Sequence, residues 1–175
     1  DMNWGGRIVN GEYVPNFRER LVCQFCNLNN RQRLGIAIIK NIVSDNKLKI
    51  YFMEQVTDYF NFAKKILNKC DIVGSEYISD SLKSGTIQNN IRHEDCESLS
   101  FRDNSFDLIV SNDVFEHIPN FKKSFSECYR VLKKDGEFLF TIPFNPNYKE
   151  SKIRASIDEG RLVHFQEPEF HGNPM

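Results

Sequence analysis

Acidic and amide side chains follow several short apolar runs of this sequence. Glu54 follows Lys49-Ile-Tyr-Phe-Met53, Glu76 follows Asp71-Ile-Val-Gly74, Asp95 ends Ile91-Arg-His-Glu-Asp95, and Asn112 and Asp113 follow Phe106-Asp-Leu-Ile-Val-Ser111. A carboxylate in such a place can accept two hydrogen bonds from vicinal hydroxyls, the solution that dinucleotide-binding folds use for ribose. A solvated loop carboxylate is the alternative. Glu116 and His117 come next along the chain and are the nearest general-base candidates; otherwise they begin the following helix and pack beneath the loop. His164 and His171, seven residues apart, are candidates for a substrate pocket or a metal site, although scattered loop histidines usually serve neither. Cys23-x-x-Cys26 has the spacing of half a four-ligand zinc site. The second pair is not visible, since Cys70, Cys96 and Cys128 are isolated, so two free thiols are favoured over bound zinc.

These residues need elements to hold them. The dipeptide Asn10-Gly11 predicts a tight hairpin over Arg7 to Val14. From Asn29 the spacing of Leu34, Ala37, Ile38 and Ile42 predicts a helix that stops near Ser44-Asp45-Asn46. Residues 49–53 read as a first strand. Thr57 can cap a second helix with Tyr59, Phe62, Ala63, Ile66 and Leu67 on one face. Residues 71–74 form a second strand, 91–95 a weak third and 106–111 a fourth. Phe121, Phe125, Cys128, Tyr129 and Leu132 mark a helix ending at Lys133-Lys134-Asp135-Gly136, with cations in its last turn and a glycine beyond it. Residues 137–142 are a fifth strand, stopped by Pro143. Strands alternating with helices imply a parallel sheet with right-handed crossovers, covered on both faces. Ligands of such sheets lie outside the carboxyl ends of the strands, where each acidic residue above falls.

The chain has 175 residues, 40% hydrophobic and 27% charged, which is a globular composition. Lys and Arg (23) nearly balance Asp and Glu (24), so nothing marks a nucleic-acid partner. No run approaches the roughly 20 apolar residues of a spanning helix, and no membrane partner is expected. The first six residues lack a charged-then-apolar signal pattern. Five cysteines without such a signal point to a reducing compartment, so the expected location is cytoplasmic.

The stretch Leu99-Ser-Phe-Arg-Asp-Asn-Ser-Phe-Asp-Leu-Ile-Val-Ser-Asn-Asp-Val-Phe-Glu-His-Ile118 closely resembles class I S-adenosylmethionine-dependent methyltransferases of the type 11 kind. So does Tyr129-Arg-Val-Leu-Lys-Lys-Asp-Gly-Glu-Phe-Leu-Phe-Thr-Ile-Pro143. The resemblance covers about 100 residues, from the first strand to the fifth, a span that fits one α/β domain. It implies a Rossmann-like, doubly wound, mostly parallel sheet and S-adenosylmethionine as cofactor. It also implies a cofactor site of Glu54, Thr57, Glu76, Tyr77, Asp95, Cys96, Asn112 and Asp113. There Glu76 would take the ribose and Asp95 the adenine amino group. The Cys96 amide would meet a ring nitrogen, and Asn112 and Asp113 would border the methionine portion. The alternative for Asp95 is a turn or a cap.

The sequence departs from the family after the first strand, where Phe52-Met-Glu-Gln-Val-Thr57 has no glycine. Val56 is β-branched and resists the positive φ that glycine would permit. Amides at the start of the next helix, with Thr57, are then the candidates for holding the cofactor carboxylate. The chain resembles a subset with this loop, with Gly-Ser-Glu-Tyr after the second strand, and with a zinc-ribbon-like segment before the domain. Residues 1–28 are accordingly read as a hairpin and CxxC segment and 29–175 as the methyltransferase-like domain, C-terminally incomplete. After Ile142 no two convincing strands are read, so the closing hairpin of the sheet is expected to be missing. An exposed edge of that kind invites pairing with another chain, so a homodimer is expected. The function implied is methyl transfer to a small-molecule or sugar-related acceptor. The alternative is an inactive methyltransferase-like binding or scaffolding module.

Overall fold

A computed structural model describes residues 7–16, 20–144, 149–151, 153–158 and 161–167. The chain forms two compact units, one of residues 1–48 with 57–71 and one of residues 49–56 with 72–175.

In the first unit, β1 (Arg7–Val9) and β2 (Glu12–Val14) pair antiparallel, with Val9 opposite Glu12. Asn10 and Gly11 both take positive φ (52° and 82°), the requirement of the tight turn that this dipeptide predicts. α1 (Asn30–Val43) starts at Asn29, whose side chain accepts the Gln32 N–H while Gln32 Oε1 accepts the Asn29 N–H, a reciprocal cap. α2 (Asp58–Ile66) starts at Thr57, whose hydroxyl oxygen accepts the Phe60 N–H at 3.1 Å. The buried stripe of α1 is Ile36, Ile39 and Val43, whereas Leu34, Ala37 and Ile38 are exposed. Gly35 accounts for that shift of face. A Cβ there would lie 2.7 Å from Tyr59 Oη of α2, so the helix packs through its glycine.

The second unit is built on a four-stranded sheet in the order β4 (Asp71–Gly74), β3 (Lys49–Phe52), β7 (Phe106–Asn112), β8 (Leu132–Thr141). β3 and β7 pair parallel, as do β7 and β8. Ile50, Tyr51, Phe52, Leu108, Ile109 and Val110 are all fully buried, the near-continuous apolar pattern of central parallel strands. α3 (Phe121–Val131) lays Ser124, Cys128 and Val131 inward, and Tyr51, Met53, Phe106, Ile109 and Phe115 pack with Cys128 and Val131 in one cluster. The arrangement is the Rossmann-like α/β fold that the alternation of strands and helices predicts.

Four expectations are corrected. The third strand does not join the sheet as a ladder. Instead β5 (Ile87–Gln88) and β6 (Ile91–Arg92) make an antiparallel hairpin, and beyond it His93 forms a single parallel bridge to Glu76. The polar residues around His93 leave nothing apolar enough for a longer ladder. The inward face of α3 excludes Tyr129, which is 84% exposed. The segment 132–136 belongs to β8 and forms an irregularity opposite Phe106 to Leu108, with Asp135 rather than Gly136 at positive φ. Gly136 is needed for space, since a Cβ would lie 2.9 Å from the Lys133 carbonyl oxygen. Finally, strands do pair beyond Ile142: β9 (Ala155–Asp158) and β10 (Arg161–His164) are antiparallel, in a sheet of their own apart from the four-stranded one. No helix among the described residues is long and apolar enough to cross a membrane.

Candidate functional site

The carboxyl ends of β3, β4 and β7 lie side by side. Met53 donates its N–H to the Val110 carbonyl at 2.9 Å, and Ser75 donates to the Phe52 carbonyl at 3.2 Å. Each strand delivers a polar side chain to this edge at its last turn of backbone. Glu54 is buried, and its Oε1 accepts from Asn112 Nδ2 at 2.6 Å. Glu76 Oε1 accepts the backbone N–H groups of Gln55 (2.6 Å) and Val56 (3.0 Å). The loop after β3 is therefore gathered around a carboxylate, with no glycine.

Glu76 also ties the polar segment to the sheet through its backbone. Its N–H donates to the Arg92 carbonyl at 2.8 Å, and its carbonyl accepts the Glu94 N–H at 3.1 Å. Two residues past His93, Asp95 takes the turn role weighed as its alternative: its Oδ1 accepts the Glu97 N–H at 2.8 Å and its carbonyl accepts the Ser98 N–H. Its own N–H donates to Ser84 Oγ at 2.9 Å. Among the described residues, Glu76 Oε2 and Asp95 Oδ2 have no hydrogen-bond partner. Both residues are half-buried. An ionised carboxylate has room for about four hydrogen bonds, so both retain acceptor capacity at the edge.

Other candidates fall nearby with less freedom. Asp113 sits at φ 51°, donates its N–H to the Thr141 carbonyl and accepts from Thr141 Oγ1 at 3.0 Å. The Cys96 side chain points into the core, its sulfur 3.8 Å from Met53 Sδ. Burial first, then the charges of Asp95 and Glu94, push its thiol up to about 12, so it stays neutral. Tyr77 is half exposed and donates its hydroxyl to Asp80; that bond, then desolvation, raises it to about 12. Asp95 and Glu97 act on Tyr77 in the same direction. The edge is thus acidic and favours ligands carrying donors or positive charge.

Glu116 and His117 lie in a short 3-10 turn (Phe115–His117) ahead of α3, so they do not begin the helix; their side chains are 3.8 Å apart. Thr57 is a helix cap in the first unit. His164 is exposed in β10, and His171 lies outside the described residues. Cys23 and Cys26 flank a turn in which Asn27 donates its N–H to the Cys23 carbonyl at 2.8 Å. The amides of Phe25 and Cys26, then the Cys26 thiol, lower the Cys23 pKa. Among the described residues no group of three or more His, Cys, Asp or Glu side chains could hold a metal ion.

Two polar clusters escape a reading by sequence. Gln55 bridges to the β5–β6 hairpin through its carboxamide. Glu94, fully buried, accepts from Arg92 Nε (2.7 Å), Ser100 Oγ (2.6 Å) and the Ser100 N–H (2.8 Å). The signal for Gln55 was the glycine-free loop itself, which needs side chains to fix it.

Residues 60–140 match the family model described as a methyltransferase domain. A stretch of 74 residues is 36% identical to the malonyl-[acyl-carrier protein] O-methyltransferase of Geobacter sulfurreducens, covering 41% of this chain and 28% of that protein. Another, of 65 residues, is 48% identical to phosphoethanolamine N-methyltransferase 2 of Caenorhabditis elegans, covering 37% of this chain and 15% of that one. The chain thus spans less than a third of the length of these curated relatives. The crystal structure of the PH0226 protein from Pyrococcus horikoshii OT3 superposes with a TM-score of 0.50 at 17% identity, over 72% of this chain and 58% of that one, a likeness of fold. Over residues 60–140 the chain is methyltransferase-like in sequence, and the sheet that carries Glu54, Glu76 and Asn112 is of the Rossmann-like α/β kind.

Proposed function

We propose that this chain is the core of an S-adenosylmethionine-dependent methyltransferase that acts on a small-molecule acceptor. The observation that carries the reading is the pair of half-buried carboxylates, Glu76 and Asp95, each with an open oxygen at the carboxyl edge of the sheet. The two acceptors fit the cofactor's nucleoside. Glu76 Oε2 is the acceptor for the ribose hydroxyls, and Asp95 Oδ2 for the adenine amino group. The acidic edge suits a ligand that bears a sulfonium and an ammonium. Bound S-adenosylmethionine supplies an electrophilic methyl group on sulfur; the protein's part is to align an acceptor with it and exclude water. Glu54 and Asn112, hydrogen-bonded to each other, join the carboxyl ends of β3 and β7. For an oxygen or neutral-amine acceptor, Glu116 or His117 takes the proton.

The remaining assignments rest on the sequence. Residues 29–175 are the methyltransferase-like domain, and Cys23 and Cys26 are two free thiols rather than half of a zinc site. The protein is cytoplasmic and homodimeric. The relatives' names give malonyl-[acyl-carrier protein] and phosphoethanolamine as acceptors, so the acceptor here is left at its class.

Titration calorimetry with S-adenosylmethionine and S-adenosylhomocysteine tests the reading. Binding that weakens at least tenfold, about 1.4 kcal/mol, in Glu76→Ala supports it. A folded wild-type protein that binds neither ligand, or a Glu76→Ala variant of unchanged affinity, overturns it.

A further inference from the structure

The loop after β3 carries no glycine, yet it is held at its middle residue by a side chain that behaves like backbone. Gln55 Nε2 donates to the Asn90 carbonyl at 2.8 Å, and Gln55 Oε1 accepts the Arg92 N–H at 2.9 Å. Those two groups flank Ile91 on one edge of β6. A parallel strand would use the same carbonyl and N–H, the residues before and after its partner. The carboxamide therefore stands in for a peptide unit and caps the edge of the hairpin. At the same residue the backbone N–H goes to Glu76 Oε1 at 2.6 Å. Gln55 thus joins three pieces at once: the first loop, the end of β4 and the β5–β6 hairpin. Asn89 and Asn90, both at positive φ (52° and 63°), form the turn of that hairpin. The chain leaving it runs through His93, which bridges to Glu76, to Asp95.

We propose that Gln55 is a positioning residue: its carboxamide sets the register of the hairpin against the first loop and so fixes Asp95 relative to Glu76. The inference rests on the reading of these two carboxylates as the nucleoside site. It assigns to one side chain the work that glycine turns do elsewhere by letting backbone approach the ligand. Both hydrogen bonds require an amide, since a donor and an acceptor must sit on one planar group. Glutamate in its ionised form keeps only the acceptor, and its second oxygen would face the Asn90 carbonyl.

The test compares wild type, Gln55→Ala and Gln55→Glu by amide hydrogen exchange and by calorimetry with S-adenosylhomocysteine. Exchange at the Arg92 amide reads the clamp without any ligand; it should accelerate about tenfold in both variants near pH 8, while amides of β3 and β7 keep their protection. Affinity should fall about tenfold in both. Near pH 5, where a fraction of the new carboxyl is protonated and regains a donor, Gln55→Glu should recover part of the loss and Gln55→Ala none. Unchanged Arg92 exchange in Gln55→Ala overturns the clamp. Faster exchange with unchanged affinity overturns its role in positioning while leaving the nucleoside site standing. A wild type that binds no ligand, with the Arg92 effect intact, overturns the nucleoside site and leaves the clamp as a purely structural device, ending the proposal as stated.

Discussion

Two loops of this molecule lack glycine and are fixed by side chains, and they differ in what is left over. The segment 99–105, which enters β7, is held by Arg130 of α3. Its Nε donates to Glu127 Oε1, one terminal nitrogen to the Phe101 carbonyl and Asp103 Oδ1, and the other to the Leu99 carbonyl and Glu127 Oε2. All five guanidinium donors are used. The loop that leaves β3 is held by Glu76 and Gln55, and there the accounting does not close: Glu76 Oε2 remains open among the described residues. Saturation at one loop means stability. An unused acceptor, held half-buried at the other, is what the proposed nucleoside site requires.

The contrast can be broken from the saturated side first. Arg130→Ala strands two carbonyls and the Glu127 carboxylate, and should lower unfolding free energy by about 2–3 kcal/mol, read as a drop in the urea midpoint. Ligand affinity per folded molecule should not change. Gly136→Ala, in β8, should cost about 1–2 kcal/mol, because its new Cβ meets the Lys133 and Asp107 carbonyl oxygens; the same urea melts read it. From the open side, Glu76→Gln keeps an acceptor for the Gln55 and Val56 amides. Its melting temperature should stay within about 2 °C of wild type while affinity for S-adenosylhomocysteine falls roughly tenfold.

The smallest effect is in pH. Arg130 above all, and then the Leu99 amide, hold the Glu127 carboxyl below its ordinary range against the opposing effect of burial. A carboxyl lowered in the folded state stabilises above its unfolded pKa of about 4.3, and that contribution is lost as pH falls through the folded value. Glu127→Gln should therefore be less stable than wild type by about 1 kcal/mol at neutral pH. The gap should narrow as acid protonates the wild-type residue. A gap that stays constant down to about pH 2.5 would show that charge has no part in it.

What the sequence made legible follows from how local each feature is. The Asn10-Gly11 turn, the cap at Thr57, and the buried runs of β3 and β7 depend on residues within a few positions, and all read directly. The inward face of α1 did not, because it is set by Gly35 meeting Tyr59, 24 residues away in sequence. Residues 91–95 failed as a strand for a related reason: their hydrogen bonds run partly to a side chain, Gln55, which periodicity cannot see. At the site, the placement of Glu54, Glu76 and Asn112 at one edge was legible from the rule that ligands gather at strand ends. The inward turn of Cys96 and the Asx turn at Asp95 were not, since both depend on packing around Met53 and on the Glu97 amide.

A double-mutant cycle puts the open oxygen of Glu76 to the sharpest test. Calorimetry would pair wild type and Glu76→Ala with S-adenosylhomocysteine and with its analogue lacking both ribose hydroxyls. If that oxygen receives the hydroxyls, each change alone weakens binding, and the two together add little, leaving a coupling of about 1 kcal/mol or more. Losses that simply add would show that the carboxylate and the diol never meet.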